Sequence, residues 1–297
     1  MSADAKAGAG AGSGAADGKE SAGAGYVDPP MTIWEHLAEL RKRLVVCLVV
    51  VLVFTTIAWE FREGILAFLV RPFADAWRAE GVAGSPTLHF PTPAAAFVAY
   101  FQISLLAGLL ASAPILFYEV WAFIAPGLYA REKKYVIPFV GCSSLLFVGG
   151  GYFGWRLAFP IAFRYFLSLS GTLKSVDVVV SPTVMMGDYI GFVMQLLLGF
   201  GVIFELPLFI LFLSLAGIVN YLWLIRYFRH FVLVAFIVAA VLTPPDVTSQ
   251  LLMALPMIVL YAGSIGLAWA FGKPPTEGQR AHYARKDEER RAKKTAS

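Results

Sequence analysis

Apolar and polar positions fall in long blocks along this chain rather than at short periods. Six blocks are apolar, at about 44–59, 94–117 with a continuation to 123, 135–159, 189–215, 231–242 and 251–271. A helix that crosses a hydrocarbon core about 30 Å thick needs roughly 20 residues. The fifth block is short: twelve residues rise only about 18 Å at 1.5 Å each. It spans only if 221–230 extends it, with Arg226 and Arg229 snorkelling to the interface. A short fifth and sixth helix joined by TPPDVTSQ would thin the bilayer locally. Between the first two blocks lies a charged, Pro- and Gly-rich stretch, 60–93. The pattern predicts an all-α polytopic membrane protein with six transmembrane helices.

Prolines 114, 138, 160, 207 and 256 fall in or near these blocks. Each removes a backbone donor and tends to kink a helix. Gly150 and Gly154, and Gly187 and Gly191, have the GxxxG spacing that permits close helix contact; packing within the chain is the expected use, ahead of dimerisation. Kinked, glycine-bearing helices imply a bent, cup-like wall.

Composition agrees with the blocks. Mean hydropathy is +0.69, and 15% of residues are charged, against about 25% in soluble domains. Residues 1–30 are mostly Ala, Gly, Ser, Asp and Lys, which bury no core and should form a disordered tail. They lack the apolar stretch of a signal peptide. The expected membrane domain is 31–272, followed by a charged tail, 273–297. Basic residues gather before the first block (Arg41, Lys42, Arg43), between the second and third (Arg131, Lys133, Lys134), between the fourth and fifth (Arg226, Arg229) and in the tail. The positive-inside rule then places both termini in the cytoplasm. The net charge of +4 reads as orientation, not as nucleic-acid binding. Cys47 and Cys142 lie in apolar runs without a CxxC, as two buried structural thiols would. The four histidines have no metal-ligand spacing, and no GxSxG, HExxH, P-loop or dinucleotide motif is present; no catalytic residue, metal or cofactor is expected.

A few polar residues stand out against the apolar blocks. Glu205 lies inside the fourth, where an ionised group costs about 2.5–3.5 kcal/mol on insertion scales. It is either functional or a neutral acid bonded to a neighbouring helix. Gln195, ten residues earlier, is a candidate to share its pocket. Asp246 follows two prolines and is placed either to cap the next helix through the amides of residues 248 and 249 or to act in a site; Thr243 and Gln250 flank it. Glu39 sits just ahead of the first block, and Glu132 among the bases of the loop between the second and third. Both fall on the same predicted side, where two carboxylates could receive two cations. Glu35 reads as a solvated first-turn acid.

The stretches HLAELRKRL, FYEVWAFIAPGLYAREKKYVIPF, SSLLFVGGGYFGWRLAFPIAFRYF, GFGVIFELPLFI and VLTPPDVTSQLLMALPM resemble, in order, those of the TatC family, the C subunit of the twin-arginine protein translocase. The likeness covers 32–271. It implies a six-helix, cup-shaped protein of the bacterial cytoplasmic membrane that recognises signal peptides bearing paired arginines. It also implies a hetero-oligomer, in multiple copies, with single-span TatA- and TatB-type subunits, surrounded by membrane lipid. Carried over residue by residue, Glu39 and Glu132 meet the paired arginines, with Arg41 and Lys133 in supporting positions. Glu205 of the fourth helix and polar groups near the fifth and sixth, here Thr243, Asp246 and Gln250, are linked to docking the single-span partners. Two departures stand out. Lys133 follows the loop glutamate where the family often has Arg, and Ala262 stands after Tyr261 where many members carry Glu. A rival reading, a proton- or ion-coupled small-solute transporter relaying through Glu205 and Asp246, would call for inverted repeats, and the two halves show none. An intramembrane hydrolase would need a Ser–His or paired-Asp arrangement that the spans lack.

Overall fold

The computed structural model describes residues 33–124, 136–173, 178–243 and 246–275, with 277, 278 and 285. By its contacts the chain divides into Met1–Ala38, of which residues 33–38 open helix α1, and Glu39–Ser297. The described residues are nearly all helical. Nine α-helices follow in order: α1 (Ile33–Glu60), α2 (Arg62–Ala79), α3 (Pro93–Ile124), α4 (Val136–Phe153), α5 (Phe159–Ser168), α6 (Met186–Phe204), α7 (Leu206–Ala216), α8 (Tyr221–Leu242) and α9 (Val247–Phe271). A π-helical turn, Gly154–Ala158, joins α4 to α5 without a break. The exception to helix is a small antiparallel hairpin, β1 (Gly171–Leu173) and β2 (Val178–Val180).

Six helical stretches are long and apolar enough to cross a membrane: α1, α3, α4 through α5, α6 through α7, α8 and α9. Their outer faces confirm the solvent. Along α1, Leu44, Val45, Leu48, Val49, Leu52 and Val53 are all exposed, and Thr55 is its one buried residue. Such a surface is a liability in water and ordinary in lipid.

The fifth span is full length. Helix α8 begins at Tyr221, capped by Asn220, whose side chain accepts from the Trp223 amide at 2.9 Å. Its 22 residues rise about 33 Å, so the twelve-residue apolar core is extended at its N-terminal end. The stretch 60–93, expected as a loop, contains α2. Arg71, Asp75 and Arg78 are exposed, while Leu69, Phe73, Ala76 and Trp77 are buried, the i, i+4, i+7, i+8 pattern of an amphipathic helix. Phe73 packs against Phe163 of α5 and Tyr189 of α6, with ring centroids 5.5 Å away in both cases. The Tyr189 hydroxyl donates to the Leu69 carbonyl at 2.8 Å. The segment before α3 is tied to the start of α6: the His89 amide donates to Val184 O, and the Met186 amide to His89 O.

Glycines set the closest approaches. A Cβ on Gly150 would lie 2.5 Å from the Phe200 carbonyl oxygen, and one on Gly154 would lie 2.9 Å from the Phe200 ring. That GxxxG pair therefore packs α4 onto α6 within the chain. Gly187 and Gly191 face open space. The thiols depart from expectation: Cys142 is exposed on α4, and Cys47 is half-buried, one turn past Arg43 on the same face of α1.

Helix α1 meets α3 antiparallel at three places. The Trp59 and Phe97 rings lie 5.4 Å apart at one end. In the middle, Gly108 lets the α1 backbone approach so closely that an added Cβ would sit 2.6 Å from the Thr55 amide nitrogen. The third contact is an ion pair at the other end. Gly108→Ala should therefore push the helices apart and cost about 1–3 kcal/mol, read as a lowered unfolding temperature in detergent. Gly187→Ala, in open space, should leave that temperature unchanged or slightly raised.

Candidate functional site

The ion pair joins the beginning of α1 to the end of α3. Arg43 donates through Nε and Nη2 to Glu39 Oε1, at 2.9 and 2.6 Å, and through Nη1 to Glu119 Oε2 at 2.8 Å. One guanidinium thus serves two carboxylates with three of its five N–H groups. All three side chains are largely shielded, at 24%, 21% and 15% exposure for Arg43, Glu39 and Glu119. Glu39 Oε2 is buried and has no hydrogen-bond partner among the described residues. Among the described residues, two carboxylates share this one guanidinium. Such a cluster favours a further cation, and a guanidinium above all, whose planar fork pairs with carboxylates.

The sequence placed the support for Glu39 on Arg41. The structure assigns it to Arg43, because residues four apart share a helix face; Arg41 is exposed and makes no ion pair among the described residues. Glu119 was not singled out at all. It is the one charged residue between Glu80 and Arg131, and that isolation was the available signal. Glu132 and Lys133 lie outside the described residues.

A second polar group is built around Glu205. The fourth span breaks there: Glu205 ends α6 and precedes α7, with Pro207 in the first turn of α7. Pro207 has no amide hydrogen for the preceding turn, so the ladder is interrupted beside the carboxyl. Trp121 Nε1 of α3 donates to Ser143 Oγ of α4 at 3.0 Å, and the Ser143 hydroxyl hydrogen-bonds the Glu205 carboxyl. Glu205 Oε1 stays buried and has no partner among the described residues. Phe139 and Phe212 close around Trp121, with centroids at 4.8 and 4.9 Å.

The other polar candidates do not join this group. Gln195 is exposed on α6. Thr243 donates to Ala239 O at 2.9 Å, and Gln250 donates from Nε2 to Phe236 O at 3.1 Å; both spend their donors on backbone carbonyls of α8. Asp246 caps α9, accepting from the Ser249 amide at 2.7 Å, so the capping alternative holds. Glu205 finds its partner on α4 instead, since the break in the span turns it toward α3 and α4. Among the described residues no cluster of metal-ligating side chains occurs.

Fold and site together define a six-span membrane protein with an acidic, guanidinium-holding cluster at one end and a lone intramembrane carboxyl. The family model for Sec-independent protein translocase protein (TatC) matches residues 35–256. The chain is 37% identical to the TatC protein of Koribacter versatilis over 240 residues, 80% of this chain and 85% of that one. It is 40% identical to that of Desulforapulum autotrophicum, again over 240 residues, 80% and 84% of the two chains. A crystal structure described as the twin arginine translocase receptor TatC superposes with a TM-score of 0.68 at 32% identity, covering 80% of this chain and 99% of that one. The chain belongs to the TatC family of Sec-independent protein translocase proteins.

Ser143→Ala should strand both the Trp121 N–H and the Glu205 carboxyl. Leaving a buried polar group unsatisfied costs about 1–3 kcal/mol, visible as a lowered unfolding temperature in detergent. Ser144→Ala, whose hydroxyl bonds only to the Val140 carbonyl of its own helix at 2.8 Å, should change it little.

Proposed function

We propose that this chain is the signal-peptide receptor and core subunit of a twin-arginine translocase in a bacterial cytoplasmic membrane, with both termini in the cytoplasm. The observation that carries the reading is the Arg43–Glu39–Glu119 cluster. Arg43 shows that these carboxylates accept a guanidinium, and Glu39 Oε2, unpartnered among the described residues, leaves an acceptor for another. Glu132 is the second acid we assign to the signal, on its place in the sequence alone. It stands four residues before Val136, hence within about 14 Å of the start of α4 along an extended chain, and α4 begins beside the end of α3, where Trp121 meets Phe139. Paired arginines of a signal would then divide between Glu39 and Glu132, with Lys133 and Arg41 setting the local field. Each charge-assisted hydrogen bond contributes roughly 1.5–3 kcal/mol.

Transport of folded proteins calls for more than this subunit. Six helices leave no passage for a folded domain, so partner subunits must assemble around it. Glu205 is the group we assign to docking the single-span partners. Its free oxygen in hydrocarbon gains about 0.6–2 kcal/mol from a polar side chain on an incoming helix, little enough to be reversible. Gln195, Thr243, Asp246 and Gln250 are the further polar contacts proposed for that assembly. The tails, 1–30 and 273–297, would flank the membrane domain on the cytoplasmic side.

The test is binding of a paired-arginine signal peptide to the purified, inserted protein. Glu39→Gln and Glu132→Gln should each weaken binding by about tenfold, the loss of one charge-assisted bond. Rising salt should weaken it as well. Glu205→Ala should leave peptide binding intact and instead reduce co-purification of single-span partners. Unaltered peptide affinity in the Glu39→Gln/Glu132→Gln double variant would place the receptor site elsewhere.

A further inference from the structure

Along the second half of α2, away from the Arg43 cluster, lies a basic recess of about 360 Å³. Arg71 of α2, Arg156 of the π-turn and Arg164 of α5 line it, with Asp75 as the one carboxylate. Asp75 is turned to Arg78, at 3.2 Å. Among the described residues, Arg71, Arg156 and Arg164 make no ion pair. Three guanidiniums along one recess repel one another, and they cannot shed their charge.

A second recess of about 270 Å³ adjoins the first. Its walls are apolar: Phe68 of α2, Leu106, Ala107 and Leu110 of α3, Tyr152 of α4, and Trp155 of the π-turn. Trp155 belongs to both recesses. Its ring stacks on Phe68 with centroids 4.2 Å apart, and its Nε1 donates to Phe68 O at 3.2 Å. An indole anchored in this way at the border between charge and oil marks a membrane interface.

We infer that the paired recesses form a binding site for an anionic phospholipid, its phosphate held by Arg71, Arg156 and Arg164 and one acyl chain laid in the groove beneath Trp155. The guanidinium fork matches phosphate oxygens bidentately. A free anion would answer the charge and leave the adjoining groove unexplained; a zwitterionic lipid would fill the groove and offer a phosphate, but would set its own cation beside three guanidiniums. A lipid with one negative headgroup answers both. The site depends on α2, which brings Arg71 beside α5, and on the π-turn, which sets Trp155 and Arg156 on adjacent walls.

The experiment uses the full chain in detergent, with retained lipid read by native mass spectrometry and stability read by thermal unfolding. The probes are palmitoyl-oleoyl phosphatidylglycerol, the matching phosphatidylcholine and inorganic phosphate. Wild type should retain phosphatidylglycerol over phosphatidylcholine by at least about tenfold, the scale for two net charges at a membrane surface, and should be stabilised by it. Inorganic phosphate at the same concentration should not stabilise. The Arg71→Gln/Arg156→Gln/Arg164→Gln variant should lose the preference. Ala107→Phe, which fills the groove and keeps the arginines, should bind phosphatidylglycerol more weakly. Equal retention of the two lipids by wild type would overturn the site, as would a preference that survives the triple variant. Stabilisation by phosphate equal to that by phosphatidylglycerol would reduce it to a bare anion site and overturn the lipid assignment.

Discussion

One guanidinium shared between two carboxylates is the interaction on which this structure turns. Helix α1 faces lipid on nearly every side and buries a single residue, Thr55. Lipid tails give apolar side chains no reason to leave them, so helix association relies on close packing and polar contacts. Helix α1 uses both: the Gly108 approach to Thr55, and Arg43 reaching across to Glu119. The same ion pair positions Glu39 through its i, i+4 contact. What fastens the helix is therefore also what shapes the acidic cluster.

The end of α3 serves a second site as well. Glu119 and Trp121 are two residues apart, about 200° around the helix, and so face different neighbours. Glu119 turns to α1. Trp121 turns to Ser143 and, through it, to Glu205. Each carboxyl keeps one buried oxygen without a partner among the described residues, Glu39 Oε2 and Glu205 Oε1. Unpaired acceptors near or within hydrocarbon are costly, and in a protein that must receive others they are where a ligand or a helix gains most by arriving.

Much of this was legible in the sequence because a membrane enforces long blocks. The six spans, the Gly150 and Gly154 contact and the Asp246 cap follow from hydropathy, spacing and turn chemistry. Helix α2 escaped because its charged residues break up the apolar run, although Leu69, Phe73, Ala76 and Trp77 keep a helical period. Helix α8 looked short because Arg226 and Arg229 interrupt its first turns. The partner of Glu39 was legible in principle, since Arg43 stands at i, i+4 and Arg41 does not. Ser143 was not: one hydroxyl among many in apolar helices says nothing of what lies across from it until the break at Glu205 is seen. Glu119 depends likewise on knowing that α3 ends where α1 begins.

The central claim is that these carboxylates read guanidinium rather than positive charge. The direct measurement is the affinity of two otherwise identical signal peptides, one with paired arginines and one with paired lysines, for wild type and for Glu39→Gln. The account predicts that wild type prefers the arginine peptide by about tenfold or more, some 1.4 kcal/mol, and that the preference collapses toward unity in the variant. Equal binding of both peptides to wild type, or a preference that persists undiminished in Glu39→Gln, would contradict it.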